Sequence, residues 1–145
     1  LGVVSGLAID ASFDGLCRLY WRTAVSIALG VRHILETLKA NGQSVSMLHV
    51  TGGHVRNPLL MELYADATGC TVSEPGAEDA TLLGTAMTAA AAAGLYASVA
   101  EACAAMDQGA TTRKPNPDAT ARFEIDYRAF LAMHRHREEI EDIVR

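Results

Sequence analysis

HVTGGHVRNPLLMELYADATG, residues 49–69, reads as the end of a strand, a tight double-glycine turn and a helix. Asn57 followed by Pro58 supplies an N-cap and a first-turn proline, "LLMELYADAT" carries the helical period, and Gly69 ends the helix. Two adjacent glycines between a strand and a helix add nothing to packing. Gly52 and Gly53 instead admit backbone dihedrals closed to other residues, and they remove the Cβ atoms that would hold a flat or charged ligand away. In an open parallel sheet ligands bind beyond the carboxyl ends of the strands, and the loop after His49 and Val50 lies at such an end. The helix beginning at Asn57 and Pro58 turns its positive dipole end to the same space, which suits a nucleotide's phosphate or base edge.

Working outward, "SVSMLHV" (44–50) is a strand candidate between Gly42 and the double glycine, and "CTVS" (70–73), closed by Pro75, is another. "LGVVSGLAI" (1–9) suits a short strand entering a turn. Ser12 or Asp14 then caps a helix of some seven turns, with Leu16, Leu19, Tyr20, Thr23, Ile27, Val31, Ile34 and Leu38 as its apolar stripe and "ANG" (40–42) as its stop. Beyond the third strand, Glu78 and Asp79 head a helix whose Ala80, Leu83, Gly84, Met87 and Ala91 share one small-residue side. A short helix near Val99–Met106 follows, "GATTRKPNPD" (109–118) is expected to be a loop, and a last helix starts near Thr120 with Phe123, Tyr127, Phe130 and Leu131 inward. The alternation predicts an α/β domain with a mainly parallel sheet covered by helices. Three strands would leave hydrophobic edges bare, so further strands are expected upstream.

The bulk composition fits this picture. The chain has 145 residues, of which 50% are hydrophobic and 20% charged, the balance of a globular domain. A formal charge of -5 argues against nucleic acid as a partner. "MHRHR" (133–137) is answered by Glu138, Glu139 and Glu141 and reads as a solvated helix face. Cys17, Cys70 and Cys103 are odd in number and widely spaced. They predict reduced thiols in a cytoplasmic protein, with neither a disulfide framework nor a zinc site. The alanine-rich run 80–100 is too weakly hydrophobic and too interrupted for a membrane span, so no membrane partner is expected. The chain opens on Leu1, not Met, which is read as a piece of something longer.

Competing phosphate-binding motifs are absent. There is no G-x-x-x-x-G-K-[ST], and "GGHVRN" lacks the G-x-G-x-x-G spacing. A bare T-G-G after a strand is compatible with a simple connecting turn. The longer pattern is more specific: "VTGGHVRNPLLMELYADATGCTV" (50–72) followed by "EDATLLGTAMTAAAAAGLYAS" (78–98) resembles the C-terminal domain of FGGY carbohydrate kinases. In that family a G-G-x-x-x-N/S-P-L-like segment is the adenosine motif. An E-A-x-x-L-G-A-A-like helix is the second connecting segment of the ribonuclease-H-like, actin-like ATPase fold. "GVVSGLAID" (2–10) and "RTAVSIALGVRHILE" (22–36) look like the stretch preceding this motif, so the likeness runs from about Gly2 through Asp118. "ASFDGLCRLYWR" (11–22) with "LLGTAM" (82–87) looks closest to the pentulose kinase branch, ribulose first.

The resemblance implies that residues 1–145 are the C-terminal nucleotide-binding portion of a sugar kinase that uses ATP and Mg2+. The sugar-binding N-terminal domain, the catalytic aspartate and the phosphate loops lie outside this sequence, and the piece is expected to be inactive alone. Gly52 and Gly53 would approach the nucleotide's phosphates and sugar, and Asn57 would contact the adenine. His54 stands where the family often has glycine or alanine, which narrows the approach or brings an imidazole to the ligand. Asp79 replaces the usual Glu at the head of the connecting helix. ATP and a sugar are the implied partners, with a homodimer as a further expectation. Glycerol or xylulose kinase is the nearest alternative, and a non-catalytic oligomerisation or ligand-sensing module of the same fold is the rival from another class.

The remaining chemistry-bearing residues read as structural. His49 is expected to be a buried, hydrogen-bonded histidine. His33, His134 and His136 have no carboxylate or cysteine at metal spacing, so no metal is assigned to the chain's own side chains. No G-x-S-x-G elbow frames a serine nucleophile. Tyr20, Trp21, Tyr127 and Phe130 are expected in the core.

Overall fold

In a computed structural model, which describes residues 3–145, the chain forms five α-helices around a three-stranded sheet. Helix α1 spans Phe13–Ala40, strand β1 Met47–His49, α2 Pro58–Thr68, β2 Thr71–Pro75, α3 Ala80–Ala92, α4 Val99–Met106, β3 Ala110–Arg113 and α5 Pro117–Ile143. A 3-10 turn, Gly52–Arg56, separates β1 from α2.

Most helix ends follow the expected signals. The Ser12 hydroxyl accepts from the Gly15 N–H and starts α1, Asn57 accepts from the Leu60 N–H at the head of α2, and Gly69 closes α2 at φ +72°, where a side chain would be strained. Asp79 accepts from the N–H groups of Thr81 and Leu82 at 3.0 and 2.9 Å. Its short side chain suits it to this capping role. The last helix begins three residues earlier than expected because Asn116 and Pro117 repeat the Asn-Pro start of α2, with Asn116 accepting from the Asp118 N–H. Asp66, buried in α2, accepts from the Asn116 N–H at 2.7 Å and so ties the two Asn-Pro helices together.

The sheet order is β1-β2-β3, with β2 in the centre. β1 and β2 run parallel, with Leu48 opposite Val72. β3 runs antiparallel to β2, with Ser73 opposite Thr112. The third strand is therefore not the segment expected at 1–9: residues 3–9 are irregular, and residues 1–2 lie outside the described part. It comes instead from the stretch expected to be a loop. Main-chain pairing does not require apolar side chains, and "ATTR" meets the open edge of β2 while Arg113 Nε reaches Glu74 at 3.3 Å. The sheet is mixed as a result.

The core lies where α1, α2 and α5 meet over β2. Leu60, Met61, Leu63 and Tyr64 of α2 pack with Ala24, Val25, Ala28 and Leu29 of α1, Phe123 and Tyr127 of α5, and Val72. The stripe expected on α1 is corrected here: Leu16, Leu19, Tyr20, Ile27 and Ile34 are exposed, while Val31 and Leu38 are half-buried. α1 is apolar on more than one face, and the small side chains of Ala24 and Ala28 let α2 come close on the other one. On α3 the expected side is the inner one, with Ala80, Leu83, Met87 and Ala91 half-buried, although Gly84 faces open space.

Candidate functional site

The loop after β1 combines the C-terminal end of a parallel strand, two glycines and the start of α2. The two glycines differ. Gly52 sits at φ +78°, in the left-handed region, so the turn itself requires glycine there. Gly53 has no such requirement: its φ is ordinary for an L-residue, and a Cβ built on it would meet nothing within 4 Å. The expectation that both glycines serve special dihedrals therefore holds for Gly52 alone. Gly53 leaves exposed main chain that the fold does not demand, the kind of surface a ligand can approach closely.

His54 does not hang free over this main chain. Its Nδ1 lies 2.8 Å from the hydroxyl of Tyr64, one helical face further along α2. Tyr64 is almost wholly buried, and burial raises its pKa above the ordinary 10.0. The Tyr64 hydroxyl and His54 Nδ1 share one hydrogen bond. The 3-10 turn is in this way fastened to α2.

Asn57 is committed at both ends. Oδ1 accepts from the Leu60 N–H at 3.3 Å and Nδ2 donates to the Tyr20 hydroxyl at 2.9 Å. Tyr20 thus belongs to the site and not to the core, where sequence reasoning had set it; 54% of it is exposed, and Trp21 is 41% exposed. Tyr20 reaches from α1 to the N-cap of α2. Tyr127 is buried and Phe130 half-buried, as expected. The first turn of α2 offers an anion less than a free helix start, because Pro58 has no N–H and Asn57 already takes that of Leu60.

His49 is exposed at the end of β1, not buried. It lines a shallow hollow of ≈ 260 Å³ with Val31, Leu48, Val50, Thr51, His54 and Tyr64, directly behind the turn. A larger hollow of ≈ 560 Å³ lies apart from the turn, between Val3–Gly6, α1 and α5. Its polar walls are engaged only in part, for Arg137 Nε is buried without a hydrogen-bond partner. Arg22 pairs with Asp126 at 2.9 Å, His134 Nδ1 lies 3.3 Å from Glu138, and Arg137 lies 3.6 Å from Glu141. The double-glycine loop is the better candidate, since its exposed main chain at Gly53 is open to a ligand. Among the described residues no three His, Cys, Asp or Glu side chains gather to hold a metal ion. Cys17, Cys70 and Cys103 are free thiols, Cys70 buried with its Sγ 3.3 Å from the Val45 carbonyl. No described helix is long and apolar enough to cross a membrane.

Residues 2–93, which contain this loop, match the model of the C-terminal domain of the FGGY family of carbohydrate kinases. The chain belongs to that family. It is 36% identical over 143 residues to an FGGY carbohydrate kinase domain-containing protein of Xenopus laevis, covering 99% of this chain and 26% of that relative. It is 38% identical over 135 residues to a ribulokinase of Mycolicibacterium smegmatis, covering 90% of this chain and 24% of the relative. The FGGY chain therefore spans about a quarter of the length of these curated relatives. Its fold is similar to that of part of the xylulose kinase from Rhodospirillum rubrum, with a TM-score of 0.69 at 21% identity, over 94% of this chain and 27% of that one. The family-level resemblance and the α/β, actin-like ATPase fold expected from residues 50–98 are both borne out.

Proposed function

We propose that residues 1–145 are the C-terminal, nucleotide-side portion of an ATP-dependent carbohydrate kinase, and that Gly52, Gly53, His54 and Asn57 form its adenosine contact. The observation that carries this reading is Gly53, a glycine that neither its backbone angles nor its neighbours require, exposed at the carboxyl end of a parallel strand. Bare main chain there accepts the sugar and phosphates of ATP. The Asn57 carboxamide, held at the start of α2, offers a donor and an acceptor to the base. His54 borders the site through Nε2.

In the whole enzyme, ATP with Mg2+ donates its γ-phosphoryl group to a sugar hydroxyl, and the hydroxyl proton passes to a base. The metal is held chiefly by the phosphates and by parts outside this chain. Sugar contacts and the catalytic base belong to a further domain that closes over the nucleotide and excludes water. A pentulose is the favoured substrate, ribulose first, supported by a ribulokinase relative at 38% identity. Likeness to xylulose kinases at 21% identity speaks to fold and leaves the sugar open. Working in the cytoplasm, such an enzyme would find ATP and its sugar at hand.

The test is a substrate panel on the protein as encoded by its gene. Ribulose-dependent ADP formation with ATP and Mg2+ is expected, while residues 1–145 alone should give none. Failure to phosphorylate ribulose, xylulose or glycerol, together with no binding of ATP, would leave the non-catalytic module as the better account.

A further inference from the structure

We propose that Tyr64 is a positioning residue for nucleotide binding: through His54, its hydroxyl holds the Gly52–Arg56 turn in the conformation that presents the Gly53 main chain to ATP. This rests on the reading of the double-glycine turn as the adenosine contact given above.

The turn has few other holds. None of residues 52–56 is buried, and of these Val55 is the one that packs against the core. Thr51, at its N-cap, makes no side-chain capping bond. Behind the turn lies the shallow hollow of ≈ 260 Å³ bordered by His49, Thr51, His54 and Tyr64, so on that side it meets open space in place of packed side chains. Two adjacent glycines widen the choice of backbone conformations further.

Main-chain bonds such as that from the Asn57 N–H to the His54 carbonyl, 3.0 Å long, close the turn on itself and move with it. The bond between His54 Nδ1 and the Tyr64 hydroxyl, at 2.8 Å, ties it to something rigid. The two partners are unequal. Tyr64 is 4% exposed and belongs to the core cluster, whereas His54 is exposed, so its ring is held by this bond and not by burial. The tether works whichever of the two atoms donates the proton. Because His54 follows Gly53 directly, holding its side chain also limits the arrangements open to the peptide between them. A ligand that fits one arrangement of the turn loses affinity in proportion to the time the turn spends in others.

The experiment uses the protein as encoded by its gene, as wild type, Tyr64→Phe, His54→Ala, His54→Asn, Gly53→Ala and the double variant Tyr64→Phe with His54→Ala. It measures the ATP dissociation constant, KM for ATP against kcat, and hydrogen exchange at the Asn57 N–H without nucleotide. Tyr64→Phe and His54→Ala should each weaken ATP binding about three- to tenfold, the range for loss of one neutral hydrogen bond. The double variant should bind no worse than the weaker single one, since both remove the same bond. In Tyr64→Phe the KM for ATP should rise while kcat at saturating ATP holds, and the Asn57 N–H should exchange faster. His54→Asn keeps a polar atom near the place of Nδ1 and should retain most of the affinity. If Gly53→Ala weakens ATP binding while Tyr64→Phe leaves it unchanged, or if the two single losses add in the double variant, the role of Tyr64 is overturned and the adenosine contact stands. If Gly53→Ala also leaves ATP affinity intact, the adenosine contact fails and the role of Tyr64 with it.

Discussion

The Tyr64 hydroxyl lies 2.8 Å from His54 Nδ1, joining the third residue of the 3-10 turn to the buried face of α2. Tyr64→Phe preserves the ring and the packing around it but removes this bond. A loss of about 1 kcal/mol in unfolding free energy is expected, measured by urea denaturation. An unchanged midpoint would mean that the turn is held to α2 by packing alone.

Burial raises the pKa of Tyr64 above 10.0, and burial first, then the nearby charge of Glu36, does the same for Tyr127. Both groups keep their protons in the folded state at a pH where the unfolded chain has lost them. Their stabilising contribution is complete below pH 10 and disappears as pH rises through the folded values. Absorbance titration of the folded protein should show two phenols ionising late, with Tyr64→Phe and Tyr127→Phe each removing one. A titration in which neither variant changes the late phase would contradict their burial.

The two glycines of the turn should separate stability from binding. Gly52→Ala forces a side chain into the left-handed region and should cost about 1–2 kcal/mol. Gly53→Ala meets open space at an ordinary φ, so stability should hold, or rise by up to about 1 kcal/mol because the unfolded chain loses freedom. The same substitution should weaken ATP binding by about tenfold or more, equivalent to about 1.4 kcal/mol. Full ATP affinity in Gly53→Ala would remove the main chain at this position from the site.

Gly76, just past β2, is required for a different reason. Its N–H donates to the Gly109 carbonyl at 2.8 Å, and a Cβ there would fall 2.4 Å from the Gln108 carbonyl oxygen. Both obstacles are main chain, so neither can swing aside. Gly76→Ala should part the entrance to β3 from the end of β2 and cost about 1–3 kcal/mol, the cost of overpacking a filled space. Hydrogen exchange should quicken at Thr111–Arg113 before it does in α2. Uniform exchange across the sheet would argue that the junction yields without opening the strand pair.

Much of this was written locally. Ser12, Asn57 with Pro58, Gly69 and Asp79 announce helix ends because a cap or a left-handed stop depends on one side chain and its neighbouring N–H groups. The glycine pair and the residues after it were enough to mark the candidate site and the family. Tertiary structure decided what depends on distant neighbours. It chose the Ala24–Leu29 face of α1 over the Leu16–Ile34 stripe, because close approach of α2 favours small side chains and periodicity alone cannot say which of two apolar faces is covered. It turned "ATTR" into a strand, because the open edge of β2 supplies hydrogen bonds that no local pattern encodes. It also brought Tyr20 to Asn57 and Tyr64 to His54, pairings created when helices far apart in sequence, or successive turns of one segment, are packed side by side.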